Sequence, residues 1–165
     1  MFSALDKAGA VGVFTCAVRA VIQRVSRASV RVDGEIIGRI ERGLLVLLGI
    51  GKMDTAADSD WMINKLLNLR VFPEGDKNIN RSVTDIGGGL LVASQFTLYG
   101  DARNGNRPSF TDAMPPTEAE NFYHAFMAKL RAATTLVVAE GKFAAMMDVE
   151  LVNDGPVTIL IDSTR

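Results

Sequence analysis

The run Gly43-Leu-Leu-Val-Leu-Leu-Gly-Ile50 carries no polar side chain. A stretch of this length with no alternation predicts a strand buried on both faces, not a half-exposed strand or an amphipathic helix. Leu90 to Tyr99, LLVASQFTLY, reads as a second core strand. A chain with two such strands needs others beside them and a layer over them. The flanking sequence offers both.

Residues 18–32, VRAVIQRVSRASVRV, mix β-branched and polar residues at short alternation, which predicts two strands broken near Ser26–Ala28. Val32-Asp33-Gly34-Glu35 is a hairpin signal, and Glu35 to Ile40 returns as a strand. Between Ala57 and Arg70 the period becomes helical, with Trp61, Met62, Lys65, Leu66 and Leu69 recurring and Asp58 and Asp60 near the start. Residues 74–89 are polar, end in three glycines and read as a loop. A second loop, GDARNGNRPSFTDAMPP at 100–116, is rich in Gly, Asn and Pro, and long loops of that kind are often functional. Thr117-Glu-Ala-Glu120 has the form of a capping box opening a helix whose apolar face is Ala119, Phe122, Tyr123, Phe126 and Leu130. Thr134 to Val138 reads as extended, Phe143 to Met147 as a short helical turn, and Asp148–Asn153 and Val157–Asp162 as two last strands.

At 165 residues, with no repeat and no linker, one domain is expected. It spans 18–165; residues 1–17 are set apart as an extra tail. That tail makes a poor signal peptide, since Lys7 is the one basic residue before its apolar part and Asp6 adjoins it. The readings for it are a loose extension or a start of translation at Val18. The net charge of −1 excludes a globally basic nucleic-acid binder, so any such contact is local. Cys16, the one cysteine, excludes an internal disulfide and fits a reducing compartment. No stretch approaches the ~18 apolar residues of a membrane span.

Conventional catalytic groups are scarce. The one histidine, His124, lies about 200° around its helix from Phe122, on the polar face, as a solvated residue would. It is a poor member for a Ser-His-Asp triad, and a histidine-rich metal site is excluded. Phosphate-cradling glycine loops are missing. What stands out is Ser94-Gln95-Phe96-Thr97-Leu98, where polar side chains interrupt an apolar strand. Period two puts Gln95 and Thr97 on one face and Ser94, Phe96 and Leu98 on the other. That pattern fits either a pocket floor or a strand with one wet face.

The other unusual stretch is LVNDGPVTILID, 151–162. Asp154-Gly155 imitates a two-residue hairpin turn, but the closing donor would be Pro156, which has no N–H. The backbone there is either trans and open or cis in a tight turn, with trans the commoner state of an X–Pro bond. Either way, carbonyls near Pro156 are left free to accept a ligand's ammonium, unless the segment is an ordinary kink.

Together, Ser94–Leu98 and Asn153-Asp154-Gly155-Pro156-Val157-Thr158 resemble the two signature motifs of the D-aminoacyl-tRNA deacylase family. The likeness runs from about Val18 to the end and includes RAVIQRVSRASV at its start, NLRVF at 68–72 and RPSF at 107–110. It implies an α/β (α+β) fold, a β-barrel-like mixed sheet with two main packed helices, in a homodimer with active sites at the interface. It implies a cytoplasmic enzyme that hydrolyses the ester joining a D-amino acid, and glycine mischarged on tRNA-Ala, to the 3′-terminal adenosine. No cofactor and no metal are implied; the partners are aminoacyl-tRNA and a second copy of the chain.

By the same resemblance Gly155–Pro156 is cis, enters the neighbouring subunit's site, and excludes an L side chain while its carbonyls read the amino group. Ser94, Gln95, Phe96 and Thr97 form the catalytic stretch, Gln95 and Phe96 positioning adenosine and ester. Phe143 and Met147 flank the adenine. Thr97 is a candidate nucleophile, but no base accompanies it, and assistance by the RNA's own 2′-hydroxyl suits a chain so short of catalytic groups. One departure is the loop Ala102-Arg103-Asn104-Gly105-Asn106-Arg107, less basic than the family pattern. Arg19, Arg24, Arg27, Arg31 and Arg103 are the remaining sources of local positive potential. The alternatives are a non-catalytic homodimeric binding module of the same fold and a Thr97-dependent esterase.

Overall fold

A computed structural model describes residues 17–163; the expectations for residues 1–16 lie outside the described residues. The order is β1 (Arg19–Val32), β2 (Glu35–Ile40), β3 (Gly43–Gly49), α1 (Ala56–Asn68), β4 (Phe72–Glu74), β5 (Lys77–Arg81), β6 (Gly89–Ser94), a 3₁₀ turn (Phe96–Tyr99), α2 (Pro116–Ala133), β7 (Val138–Glu140) and β8 (Asp148–Asp162). One mixed sheet runs β2-β1-β3-β6-β7, with β8 along β1; β4 and β5 form a separate hairpin. The β3–β6 and β6–β7 pairs are parallel, and the pairs made by β1 antiparallel.

The sheet curls until β2 meets β7. A Cβ on Gly38 would fall 2.6 Å from the Glu140 carbonyl, so only a glycine allows that approach. The result is a nearly closed, barrel-like sheet. Its interior holds Val25, Ala28, Val30, Ile40, Leu45 and Leu91. The other face of its first half packs Ala20, Ile22, Leu44, Val46 and Leu48 against Met62 and Leu66 of α1 and Tyr123, Phe126 and Leu130 of α2. β3 is thus covered on both sides, as its uninterrupted apolar run requires. Each of its buried leucines contributes about 1.5–3 kcal/mol.

Asp33 and Gly34 both take positive φ, 50° and 84°, and close the β1–β2 hairpin as their sequence predicts. Helix α1 is capped by Asp58, whose carboxylate accepts the Thr55 N–H at 2.9 Å.

Several elements differ from expectation. β1 is one strand, not two: the polar Ser26–Ala28 region is absorbed by register shifts against β8. The polar stretch after Phe72 is not a loop throughout but contains the β4–β5 hairpin. No capping box opens α2; the helix begins at Pro116, whose missing N–H costs nothing at a first-turn position, so Thr117 is already helical. The extended segment after α2 lies later than expected, at Val138–Glu140. Residues 143–147 are not helical, because Ala144 takes φ 59°. The second core strand ends at Ser94, and β8 is a single strand of 15 residues.

Candidate active site

Ser94 is the last residue of β6 paired with β3, opposite Leu48. Gln95 still donates its N–H to the Leu48 carbonyl at 2.7 Å, and then the chain winds into the 3₁₀ turn. Gln95 and Thr97 therefore do not share a strand face. The period-two expectation fails because the ladder ends: beyond Leu48, β3 offers Gly49, onto which the turn folds. A Cβ there would lie 3.1 Å from both the Gln95 carbonyl and Leu98 Cβ. Tyr99 is the buried anchor of the turn, and its hydroxyl donates to the Ala17 carbonyl.

The turn pushes Phe96 and Thr97 outward. Phe96 is 59% exposed, and its ring meets Phe110 of the RPSF stretch edge-on, 5.1 Å between centroids. That contact is worth about 0.5–1.5 kcal/mol beyond area. The Gln95 amide donates to the Thr97 hydroxyl oxygen. This is the wrong polarity for a nucleophile, which needs an acceptor for its own proton. No other side-chain partner of Thr97 occurs among the described residues.

Arg19 braces the turn from β1. Its Nη1 donates to the Leu98 carbonyl at 3.2 Å, its guanidinium lies 4.6 Å from the Tyr99 ring centroid, and Nε stands 3.4 Å from the Asp162 carboxylate. Nearby, burial pushes the Asp54 carboxyl up to about 6, with help from the charge of Asp58. The Gly51 N–H, donated to Asp54 Oδ2 at 2.6 Å, and Arg19 oppose that rise.

The Asn153–Thr158 segment is not a hairpin. Gln23 of β1 pairs with Thr158, and Val25 with Asn153. One β1 residue, Arg24, thus faces a four-residue bulge, Asp154–Val157, after which β8 continues in the same direction. Gly155–Pro156 is cis and both residues are exposed. Gly155 sits at φ 144°, and a Cβ on it would fall 2.9 Å from the Val157 nitrogen. The bond that Pro156 cannot give is replaced one residue on, where Val157 N–H donates to Asn153 Oδ1 at 2.7 Å. Asn153 Nδ2 in turn donates to the Val157 carbonyl at 3.2 Å and to Thr158 Oγ1 at 3.1 Å.

Beneath the bulge lies Arg24, 7% exposed. Its Nε donates to the Asp154 carbonyl at 2.8 Å, and its Nη1 to the carbonyls of Val71 at 2.6 Å and Asn78 at 3.1 Å. It ties the bulge to the β4–β5 hairpin. Arg24 is therefore a buried strut and not one of the sources of local positive potential expected from the sequence. The signal was available: Arg24 continues the alternation of Ala20 and Ile22, so an arginine there falls on the packed face and must find acceptors.

Phe143 and Met147 are not one helical turn apart. Phe143 packs on the helix side, 5.7 Å from the Tyr123 ring centroid. Met147 packs against the barrel interior, where Gly141 gives it room beside Ala93, two residues before Gln95. Nor does one chain bring the two motifs together. Across the sheet the order is β8-β1-β3-β6. That separates them by about 14 Å sideways and, from the Ala20 row to Arg24, about 13 Å along the strands.

The chain matches the family model described as D-Tyr-tRNA(Tyr) deacylase over residues 21–162. It is 51% identical to the D-aminoacyl-tRNA deacylase of Thermosipho melanesiensis and 54% identical to that of Desulfitobacterium hafniense, in each case over 148 residues, 90% of this chain and 99% of the relative. A solved structure titled c-Myc DNA Unwinding Element Binding Protein superposes with a TM-score of 0.82 at 46% identity, covering 87% of this chain and 97% of that one. A probable eukaryotic D-amino acid tRNA deacylase superposes at 0.77 with 17% identity, covering 88% and 99%, a likeness of fold alone.

Proposed function

The chain belongs to the D-Tyr-tRNA(Tyr) deacylase family, whose curated members are hydrolases, and on that premise we propose that it hydrolyses D-aminoacyl-tRNA and glycyl-tRNA mischarged on tRNA-Ala, with chiral selection by Gly155–Pro156 of a neighbouring subunit. The observation that carries this reading is the bulge. Two exposed residues, one of them at a φ that only glycine tolerates, are held from below by a buried arginine and from the side by Asn153. A rejecting surface has to be stiff to work by exclusion, and this one is hydrogen-bonded at both shoulders.

The separation of the two motifs supports the neighbouring subunit. One aminoacyl ester cannot touch both across four strands, whereas a second copy can bring its own bulge to the 3₁₀ turn. The outer edge of β8 is unpaired among the described residues, and Leu160 on that strand is 76% exposed. These features suit a homodimer with two shared sites. Ser94, Gln95, Phe96 and Thr97 then hold the ester and the terminal ribose, Phe96 offering its backbone N–H, while Phe143 and Met147 flank the adenine from either end of the 141–147 turn.

Thr97 is a positioning hydroxyl in this reading. No acceptor for its own proton stands beside it among the described residues, so we assign the proton transfer that ester cleavage needs to the 2′-hydroxyl of the RNA itself. The chemistry uses no cofactor, and its natural setting is the cytoplasm, where charged tRNA is consumed. A D-aminoacyl-tRNA ending in 2′-deoxyadenosine tests this step: single-turnover cleavage is expected to slow by about 100-fold or more, the usual range of a lost acid–base group. Cleavage at the full rate would exclude assistance by the 2′-hydroxyl.

A further inference from the structure

The β4–β5 hairpin pairs with no strand of the main sheet among the described residues. Its root is fixed, since Val71 and Phe72 are buried in the helix-side core. Its far part is not: residues 74–79 are all exposed. Arg24 takes one acceptor from each part, the Val71 carbonyl at the root and the Asn78 carbonyl beyond it. The strut under the Gly155–Pro156 bulge therefore rests partly on a segment that core packing does not hold.

What holds that segment follows from Pro73. The register pairs Phe72 with Arg81 and Glu74 with Lys77, so three residues of β5, 78–80, stand opposite Pro73 alone. Proline has no N–H to give to the ladder, and β5 bulges there. Two carbonyls of the bulged stretch are taken up by arginines instead. Arg24 donates to that of Asn78. Arg70 donates to that of Asn80 through Nε at 2.6 Å, and its Nη2 reaches the Asn80 side chain at Oδ1. Asn80 Nδ2 then donates to Glu74 Oε2 on β4. The Arg70 fork grips one residue at two points, as a planar guanidinium can, and Asn80 carries the grip across to the other strand.

Neither Arg70 nor Asn80 lies in the two motif stretches, yet both adjoin the acceptors of Arg24. Arg70 precedes Val71, and Asn80 is two residues from Asn78. Their clasp sets the distance between the two hairpin carbonyls that Arg24 spans. We propose that Arg70, Asn80 and Glu74 are positioning residues for chiral selection: they hold the hairpin so that Arg24 keeps Asp154, and with it the Gly155–Pro156 bulge, in the rejecting position. This rests on the deacylase reading for what the bulge selects. The clasp touches no substrate and acts through Arg24. A stiff bulge rejects an L side chain, and one that yields admits it. The signature is a gain of activity on the L ester, which a loss of folded protein cannot produce.

Two measurements separate the coupling from its use. Hydrogen exchange at the Val157 amide, which donates to Asn153 within the bulge, reads stiffness with no substrate present. Asn80→Ala is expected to speed that exchange about 5–10-fold, the effect of one lost hydrogen bond. The same variant should raise cleavage of L-Tyr-tRNA above its spontaneous rate and lower the D-to-L rate ratio about 5–10-fold, while D-Tyr-tRNA cleavage stays within ~2-fold. Asn80→Asp/Glu74→Gln exchanges donor and acceptor, keeps the link from Arg70 to β4, and should restore both values. Asp76→Ala, on the same hairpin but outside the clasp, should change neither. Unchanged exchange in Asn80→Ala, an unchanged ratio, or equal losses on both esters would overturn the proposal. Wild-type protein that does not distinguish the two esters would overturn the deacylase reading, and faster exchange in Asn80→Ala would then still show the coupling of hairpin to bulge.

Discussion

The two recognisable stretches of this chain are held in opposite ways. Ser94–Tyr99 is fixed from behind, by main-chain bonds and by Tyr99 buried against the start of the described chain, so that Phe96 and Thr97 are presented to solvent. Asn153–Thr158 is fixed by side chains, with Arg24 beneath and Asn153 across. The first arrangement presents groups to a ligand. The second stiffens a backbone that carries no functional side chain at all. Presentation tolerates the loss of one hydroxyl; a stiff backbone does not tolerate the loss of its struts.

That contrast orders the expected effects. Arg24→Ala removes a buried guanidinium from three carbonyls and should be the most damaging change. A destabilisation of about 3 kcal/mol or more is expected in urea denaturation, at about 1–3 kcal/mol for each carbonyl left without its donor. A loss under 1 kcal/mol would mean that the bulge holds itself up. Gly155→Ala should come next. A Cβ at φ 144°, set against the Val157 nitrogen, imposes strain on the order of 1–3 kcal/mol. Hydrolysis of D-Tyr-tRNA should fall at least ~10-fold, with urea stability reduced by no more than that strain. Wild-type kinetics would show that the bulge plays no part in the site. Thr97→Ala should be the mildest, lowering kcat by less than ~10-fold, as expected when one positioning hydrogen bond of about 1 kcal/mol is lost. Abolished activity would erase the contrast and support the esterase alternative.

The fold was legible wherever one residue type dictates one geometry. An apolar run must be buried, and Asp33-Gly34 must turn. It was illegible where polar residues take up regular structure, as in the hairpin at 72–81, whose strands are short and whose pattern is that of a loop. The 3₁₀ turn was hidden for a different reason. Phe96 and Thr97 are good strand formers, and nothing local announces that the β3–β6 ladder ends at Leu48 and Ser94. At the bulge, local rules identified the missing donor at Pro156. They could not identify its replacement by Asn153 and Val157, which requires knowing that the chain continues instead of reversing. Arg24 and Asp154 are 130 positions apart, and no pattern within either strand connects them.

The central claim is that this protein removes amino acids from tRNA according to their chirality. Purified protein should be incubated with D-Tyr-tRNA and with L-Tyr-tRNA, and the decay of each ester followed against its spontaneous hydrolysis. Rapid loss of the D ester, with the L ester decaying at the spontaneous rate, is the predicted result. Equal rates for the two, or spontaneous decay of both, would contradict it.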